Sequence, residues 1–246
     1  MLKLRVILVP LLALGLGCAS APFLAKAKNA EDAYQECHQK SLKKDYDDAV
    51  KCFEVLKSRY QGTTQSLEAE LESADNYYRK KDYLIAAEAY KEFLTLHPTS
   101  DKVPYAQYRV GMSYYKASPK QIDRDQKYLD EALQYLQTAT EYRDSEFYPL
   151  AQEKVKEVRK RFAQRHFYVA KFYYRTGEYR SAIPRFNEVV TNYSELGLDE
   201  PSLFFMGNAY LELAQKDKAM EILSVLEQHF PSSHYRKKLA SKLGLK

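Results

Sequence analysis

Three runs along this 246-residue chain set two tyrosines beside a base: Tyr77-Tyr78-Arg79, Tyr114-Tyr115-Lys116 and Tyr173-Tyr174-Arg175. An aromatic face attracts another ring or a cation, and a guanidinium or ammonium pairs with a carboxylate. Set side by side, such trios would hold an extended or hairpin-forming peptide that carries aromatic side chains and a carboxylate. The competing reading is that the rings pack against neighbouring elements and the bases stand in water. Catalysis finds little to work with. The histidines His38, His97, His166, His229 and His234 have no partner at metal-ligand spacing, and no Cys-x-x-Cys, Walker or Gly-x-Ser-x-Gly pattern occurs. Asp123-Arg124-Asp125 lacks the spaced oxygens and the glycine of a calcium loop and reads as a turn and helix N-cap. The sequence thus predicts no catalytic residue, no metal ligand and no cofactor.

A repeat must position the trios. In three places a small residue precedes a tyrosine by three and an alanine follows that tyrosine by nine: Ala74, Tyr77 and Ala86; Ala170, Tyr173 and Ala182; Gly207, Tyr210 and Ala219. Gly111, Tyr114 and Ala132 keep the first spacing and lengthen the second by nine residues; a weaker copy has Cys37 and Ala49 in the two small positions. Two antiparallel helices approach closely where small residues line the seam. Four places after each second alanine stands a large residue, Phe53, Tyr90, Leu136, Phe186 or Leu223, and Pro98 and Pro231 close their units because proline cannot continue a helix. This resembles the tetratricopeptide repeat, and the alanine spacings of 37, 46, 50 and 37 exceed its period through longer loops, the insertion and one extra segment.

The expected fold is therefore an all-α solenoid of about five helical hairpins, with an insertion over 117–127 and an extra long helix between repeats three and four. That helix is read from Pro149 to Gly177, between which neither proline nor glycine falls. It stands alone or runs into the first helix of unit four, and it would couple an N-terminal half, 31–144, to a C-terminal half, 145–246. Pro184, inside the second helix of unit four, should kink that helix or delay its start. Helical geometry turns the residue after each buried tyrosine toward the concave side. That face gathers Tyr78, Tyr115 and Tyr174, the bases Arg79, Lys116 and Arg175, and Leu71 and Tyr108 one or two turns earlier on the stripe.

The chain opens on Lys3 and Arg5 followed by an apolar run, Val6 to Gly17, too short to span a bilayer and of the length of an export signal. Gly17-Cys18 resembles the lipobox of bacterial lipoproteins, with an ordinary signal cut nearby as the alternative. The lipobox implies a signal peptide over 1–17, a diacylated and N-acylated Cys18, and a lipidated linker over 18–30; Ala19 after the cysteine favours the outer membrane. The formal charge is +5, and removing Lys3 and Arg5 leaves 36 basic against 33 acidic residues, about +3, too little and too dispersed for nucleic acid. Cys37 and Cys52 would lie on consecutive helices of one hairpin, either joined in an oxidising periplasm or buried as small free thiols.

A lipobox, five tetratricopeptide units and almost no tail resemble the BamD (YfiO/ComL) family of outer-membrane β-barrel assembly lipoproteins. Pro98-Thr99, the Asp123-Arg124-Asp125 insertion and the run from Tyr168 through Tyr174 to Gly177 carry the resemblance most specifically. It implies a non-enzymatic scaffold, lipid-anchored on the periplasmic face of the outer membrane. Its partners would be the POTRA domain of the barrel protein BamA, other Bam lipoproteins, and unfolded β-barrel proteins whose aromatic-ended signals the N-terminal units read. Arg185 falls where the family carries an arginine that would pair with BamA. The rival reading is another scaffold lipoprotein, a type IV pilotin or a Tol-associated envelope factor.

Overall fold

The computed structural model describes residues 23–194 and 196–245, so the leader, the start of the linker and Cys18, the expected lipidation site, lie outside the described residues. Within the described residues every regular element is a helix. The chain forms two compact units, the first ending at Ala69 and the second beginning at Glu70.

The first unit holds α1 (Ala30–Leu42), α2 (Tyr46–Arg59) and the beginning of α3 (Thr64–Lys80). Asn29 caps α1 by accepting the Asp32 amide at 2.8 Å, which satisfies one of the donors that every helix start leaves open. The α1/α2 core is Ala33, Cys37, Ala49, Cys52, Phe53 and Leu56, all fully buried. Leu24 tucks into the same core from upstream, and Arg59 donates to its carbonyl at 2.9 Å. Cys37 and Cys52 are joined as a disulfide, Cα to Cα 5.3 Å, which staples α1 to α2.

The second unit continues with α4 (Tyr83–Leu96), α5 (Val103–Ala117), α6 (Lys127–Ala139), α7 (Phe147–Arg175), α8 (Tyr179–Asn192), α9 (Asp199–Glu212), α10 (Lys216–His229) and α11 (His234–Lys242). The small positions are buried, Ala74, Ala86, Ala132, Ala170, Ala182 and Ala219 fully so, as are the large ones Tyr90, Leu136, Phe186 and Leu223. The contacts are more particular than alanine against alanine. A Cβ on Gly111 would meet the Leu136 side chain at 2.6 Å, and one on Gly207 would meet Leu239 of α11 at 2.5 Å. The glycines thus accept the large residue of a facing helix.

Four hairpins, one of them in the first unit, close with the same turn. After the first helix one residue takes positive φ, Lys44, Lys81, Gly177 or Ala214, and the amide beyond it bonds back five residues. These bonds are Asp45 to Lys40, Asp82 to Tyr77, Glu178 to Tyr173 and Gln215 to Tyr210, at 2.8–3.0 Å, the pattern of a Schellman cap. The α5/α6 pair departs from it, because residues 118–126 stand between the helices as the insertion. The added segment is not a separate element: α7 is a single 29-residue helix that includes the first helix of the α7/α8 pair. Pro184 does not delay α8, which begins at Tyr179 and runs through the proline. Proline lacks an N–H, so the Arg180 carbonyl loses its helical donor there.

Candidate functional site

The tyrosine stripe and its surroundings divide into two neighbourhoods, both in the second unit. The first lies where α3, α4, α5 and α7 meet, with the carboxylate of Asp75 at its centre, 8% exposed. Tyr90 and Tyr105 both donate their hydroxyls to Oδ1 of Asp75. Arg79 reaches Oδ2 at 3.2 Å and Glu72 at 3.1 Å; Arg109 reaches Oδ1 at 3.3 Å and donates from Nε to the Tyr90 hydroxyl at 2.9 Å. The Arg109 guanidinium also lies 3.8 Å from the Tyr78 ring centroid, a close cation–π contact. Burial, and then the Asp75 charge, push the Tyr90 and Tyr105 hydroxyls well above the ordinary tyrosine range, so both stay protonated donors. Two arginines face two carboxylates, and the cluster is neutral in itself.

Next to it the site opens. Tyr108 stacks on Phe147 of α7 at 5.6 Å. Tyr115 donates its hydroxyl to Glu157, which also takes the Lys154 ammonium. Lys154 and Arg161 stand 4.9 and 5.3 Å from the Tyr115 centroid. Burial pushes the Glu157 carboxyl up, but bonds from Lys154 and Tyr115 outweigh it and hold the group below its usual range. Lys154 acts electrostatically on Tyr78, Tyr108 and Tyr115 alike, so those three predicted residues share one cationic neighbour. Arg161 and Arg165 also pin the insertion. Arg161 donates to the Pro119 carbonyl and to Gln126 Oε1 at 2.9 Å, and Arg165 donates to the carbonyls of Ile122, at 3.2 Å, and Arg124. Asp125 accepts the Lys127 amide at 3.1 Å, a turn contact, but the N-cap of α6 is Gln126 and no side chain caps the helix, so the expected cap role is not filled by this run.

The other predicted residues lie elsewhere. Leu71 is buried in α3, and Lys116 is exposed. Tyr174 packs edge-on against Phe205 at 5.1 Å and Tyr179 at 5.4 Å, and Arg175 stands exposed beside it. Neither joins the Tyr78–Tyr108–Tyr115 group. Sequence reasoning missed Asp75, Arg109, Lys154, Glu157 and Arg161. The last three had a signal, the spacing of three and four that puts charges on one face of a long helix.

The second neighbourhood is a surface pocket of about 410 Å³ between α7 and α8, lined by His166, Tyr173, Ser181, Pro184, Arg185 and Glu188. Arg185 is exposed, with its guanidinium 5.5 Å from the Tyr173 centroid. Burial holds the His166 imidazole below its usual range; Glu188 pulls it up while Arg185 and Arg165 push it down, so it is neutral near pH 7. Among the described residues no group of acidic, histidine or cysteine side chains could hold a metal, and no helix is long and apolar enough to cross a membrane.

Residues 26–224 match the model of the family YfiO, described as an outer membrane lipoprotein. A Neisseria meningitidis protein named outer membrane protein assembly factor BamD is 26% identical over 217 residues, 84% of this chain and 81% of its own length. A protein of the same name from Rickettsia prowazekii is 26% identical over 194 residues, 78% of this chain and 77% of its own. Among solved structures, the TPR2AB-domain:pHSP90 complex of yeast Sti1 superposes with TM-score 0.45 at 15% identity, covering 87% of this chain and 82% of that one.

Proposed function

The chain belongs to the YfiO family of outer membrane lipoproteins, and from that premise we propose that it is a non-catalytic scaffold in the assembly of outer-membrane β-barrel proteins. The observation that carries this reading is the family match across residues 26–224, with relatives named as outer membrane protein assembly factors. A lipid on Cys18 anchors the protein to the periplasmic face of the outer membrane, and it works without a cofactor. The exposed Arg185 of α8 pairs with a carboxylate of a POTRA domain of BamA, and other Bam lipoproteins join the same assembly. The Tyr78–Tyr108–Tyr115 group, with Lys154 and Arg161 above it, receives the aromatic and acidic end of an unfolded β-barrel protein. Rings supply stacking surfaces there, and Lys154 and Arg161 stand 4.9 and 5.3 Å from the Tyr115 ring, bases that an arriving carboxylate would meet.

The test is mild crosslinking of a C-terminally tagged protein in its native outer membrane, with the captured proteins identified by mass spectrometry. Recovery of a POTRA-bearing barrel protein is expected. Recovery of a pilus secretin or of Tol components in its place would keep the fold and overturn the function.

A further inference from the structure

The chain reaches its first helix through a strap held at both ends. Lys28 donates its amide to Asp32 at 3.3 Å, Leu24 donates its amide to Glu36 at 3.3 Å, and the Phe23 ring lies 5.2 Å from the Lys40 ammonium. Residues 23–28 therefore run antiparallel to α1, with Phe23 toward the C-terminal end of that helix. Leu24 is 1% exposed and takes a φ of 64°, a left-handed conformation that leucine adopts only when its surroundings impose it. The α1/α2 core holds its side chain, Glu36 its amide and Arg59 of α2 its carbonyl. Two helices thus fix the place where the chain enters the first unit.

That place is close to Cys18 along the chain. A lipid on Cys18 would keep that residue at the membrane surface. Five Cα steps separate it from Phe23 and span at most about 18 Å. The 13 residues of α1 make it about 20 Å long. The tether is therefore shorter than the hairpin it holds, and the strap decides which end of the hairpin meets the anchor. The end at Phe23 is the one where α1 passes into α2. Leu42 there is 61% exposed, Tyr46 is half-buried, and Lys43 and Lys44 stand exposed with no ion pair among the described residues. Asp45, Asp47 and Asp48 share this end, and Asp48 takes the Lys51 ammonium at 3.3 Å. With acids so near, the lysines alone would hold an anionic surface weakly. A short tether changes that, because it makes the contact intramolecular, at an effective concentration of about millimolar.

We propose that the Leu42 end of the α1/α2 hairpin lies on the membrane, with Leu42 and Phe23 reaching into the interfacial layer and Lys43 and Lys44 meeting lipid phosphates. Lysine stems cover apolar surface while their ammoniums stay among the headgroups, which suits a leucine followed by two of them. The occupant is phospholipid of the leaflet that holds the anchor. This rests on the reading that Cys18 is lipidated.

The chain has no tryptophan, so a single introduced one reports without background. Leu42→Trp and, at the other end of the hairpin, Gln61→Trp are each purified as full-length lipidated protein and reconstituted in vesicles of phosphatidylethanolamine and phosphatidylglycerol. Brominated acyl chains should quench the first variant several-fold more than the second, and adding Lys43→Glu with Lys44→Glu should weaken that quenching. Equal quenching of both, or none in either, in protein that floats with the vesicles leaves the anchor standing and overturns the contact. Protein that lacks the acyl mass on Cys18 and fails to float overturns both. Unchanged quenching in the lysine variant overturns the part given to Lys43 and Lys44. Circular dichroism accompanies each variant. Should Leu42→Trp fail to fold, Lys43→Trp takes its place and is judged by the same outcomes.

Discussion

The Asp75 cluster and the Arg185 pocket are made of the same residue types, tyrosines beside arginines and carboxylates, yet one is closed and the other open. Around Asp75 each charge meets its opposite inside the molecule, and two tyrosine hydroxyls and an arginine converge on a single buried oxygen. In the α7/α8 pocket Arg185 is exposed against the Tyr173 ring and makes no ion pair among the described residues, while Glu188 on the same wall accepts from Asn192. Residue type therefore does not separate a structural network from a binding surface. Whether the fold supplies the counter-charge does. The group around Tyr115 falls between the two, since Lys154 is bonded to Glu157 while Arg161 hydrogen-bonds neutral acceptors, the Pro119 carbonyl and Gln126.

Removing Asp75 should break the comparison open. Asp75→Ala strands Arg109 and two hydroxyls in a mostly buried place and should lower the unfolding free energy by about 3–5 kcal/mol. Arg185→Glu, on the exposed side, should change it by less than about 0.5 kcal/mol. Urea titration of both reads the difference directly, and equal costs would erase the distinction between closed and open. A smaller effect is expected at Gly111, on the helix that carries both Arg109 and Tyr115. An added methyl there pushes on Leu136, so Gly111→Ala should cost about 1–3 kcal/mol in the same titration. An unchanged midpoint would mean that α5 and α6 have slack.

Tyr115→Ala sharpens the intermediate case. It should weaken a C-terminal barrel-protein peptide several-fold in a fluorescence titration while leaving the Asp75 cluster folded; undiminished affinity would reduce that group to packing. The smallest effect concerns acid. Burial lowers the folded pKa of His166 below its unfolded value, so the unfolded chain binds more protons as pH falls. The stability contributed by the neutral ring is complete above the unfolded value, near pH 6.5, and is lost as pH falls below it. His166→Asn should therefore reduce the drop in melting temperature between pH 7 and pH 5, and an identical drop would show that other groups set it.

Much of the fold could be read because its rule is steric. A small residue, a large one four after the second alanine, and a terminating proline mark where helices can touch, and each of these requirements leaves its own residue type. The turns were less legible. Of the four residues that take positive φ at the hairpin tips, only Gly177 is a glycine; Lys44, Lys81 and Ala214 are held there by the caps that follow. The site was legible in its rings and obscure in its charges. Tyr78, Tyr108 and Tyr115 follow from helical period, but Asp75 takes its partners from Tyr90 and Tyr105, 15 and 30 residues away, which no local pattern announces. Arg79 shows the cost of that blindness. Its place on the stripe suits a free cation, and Glu72 and Asp75 on its own helix occupy it.

One consequence of the 29-residue α7 is mechanical. Glu157 and Arg161 lie on one side of this rod and Phe162 and His166 on nearly the opposite side, at 100° per residue. The two groups are therefore mechanically linked through one axis. A turn of about 20° about that axis would carry side chains at a radius of about 5 Å through nearly 2 Å, in roughly opposite directions at the Tyr115 group and at the α7/α8 pocket.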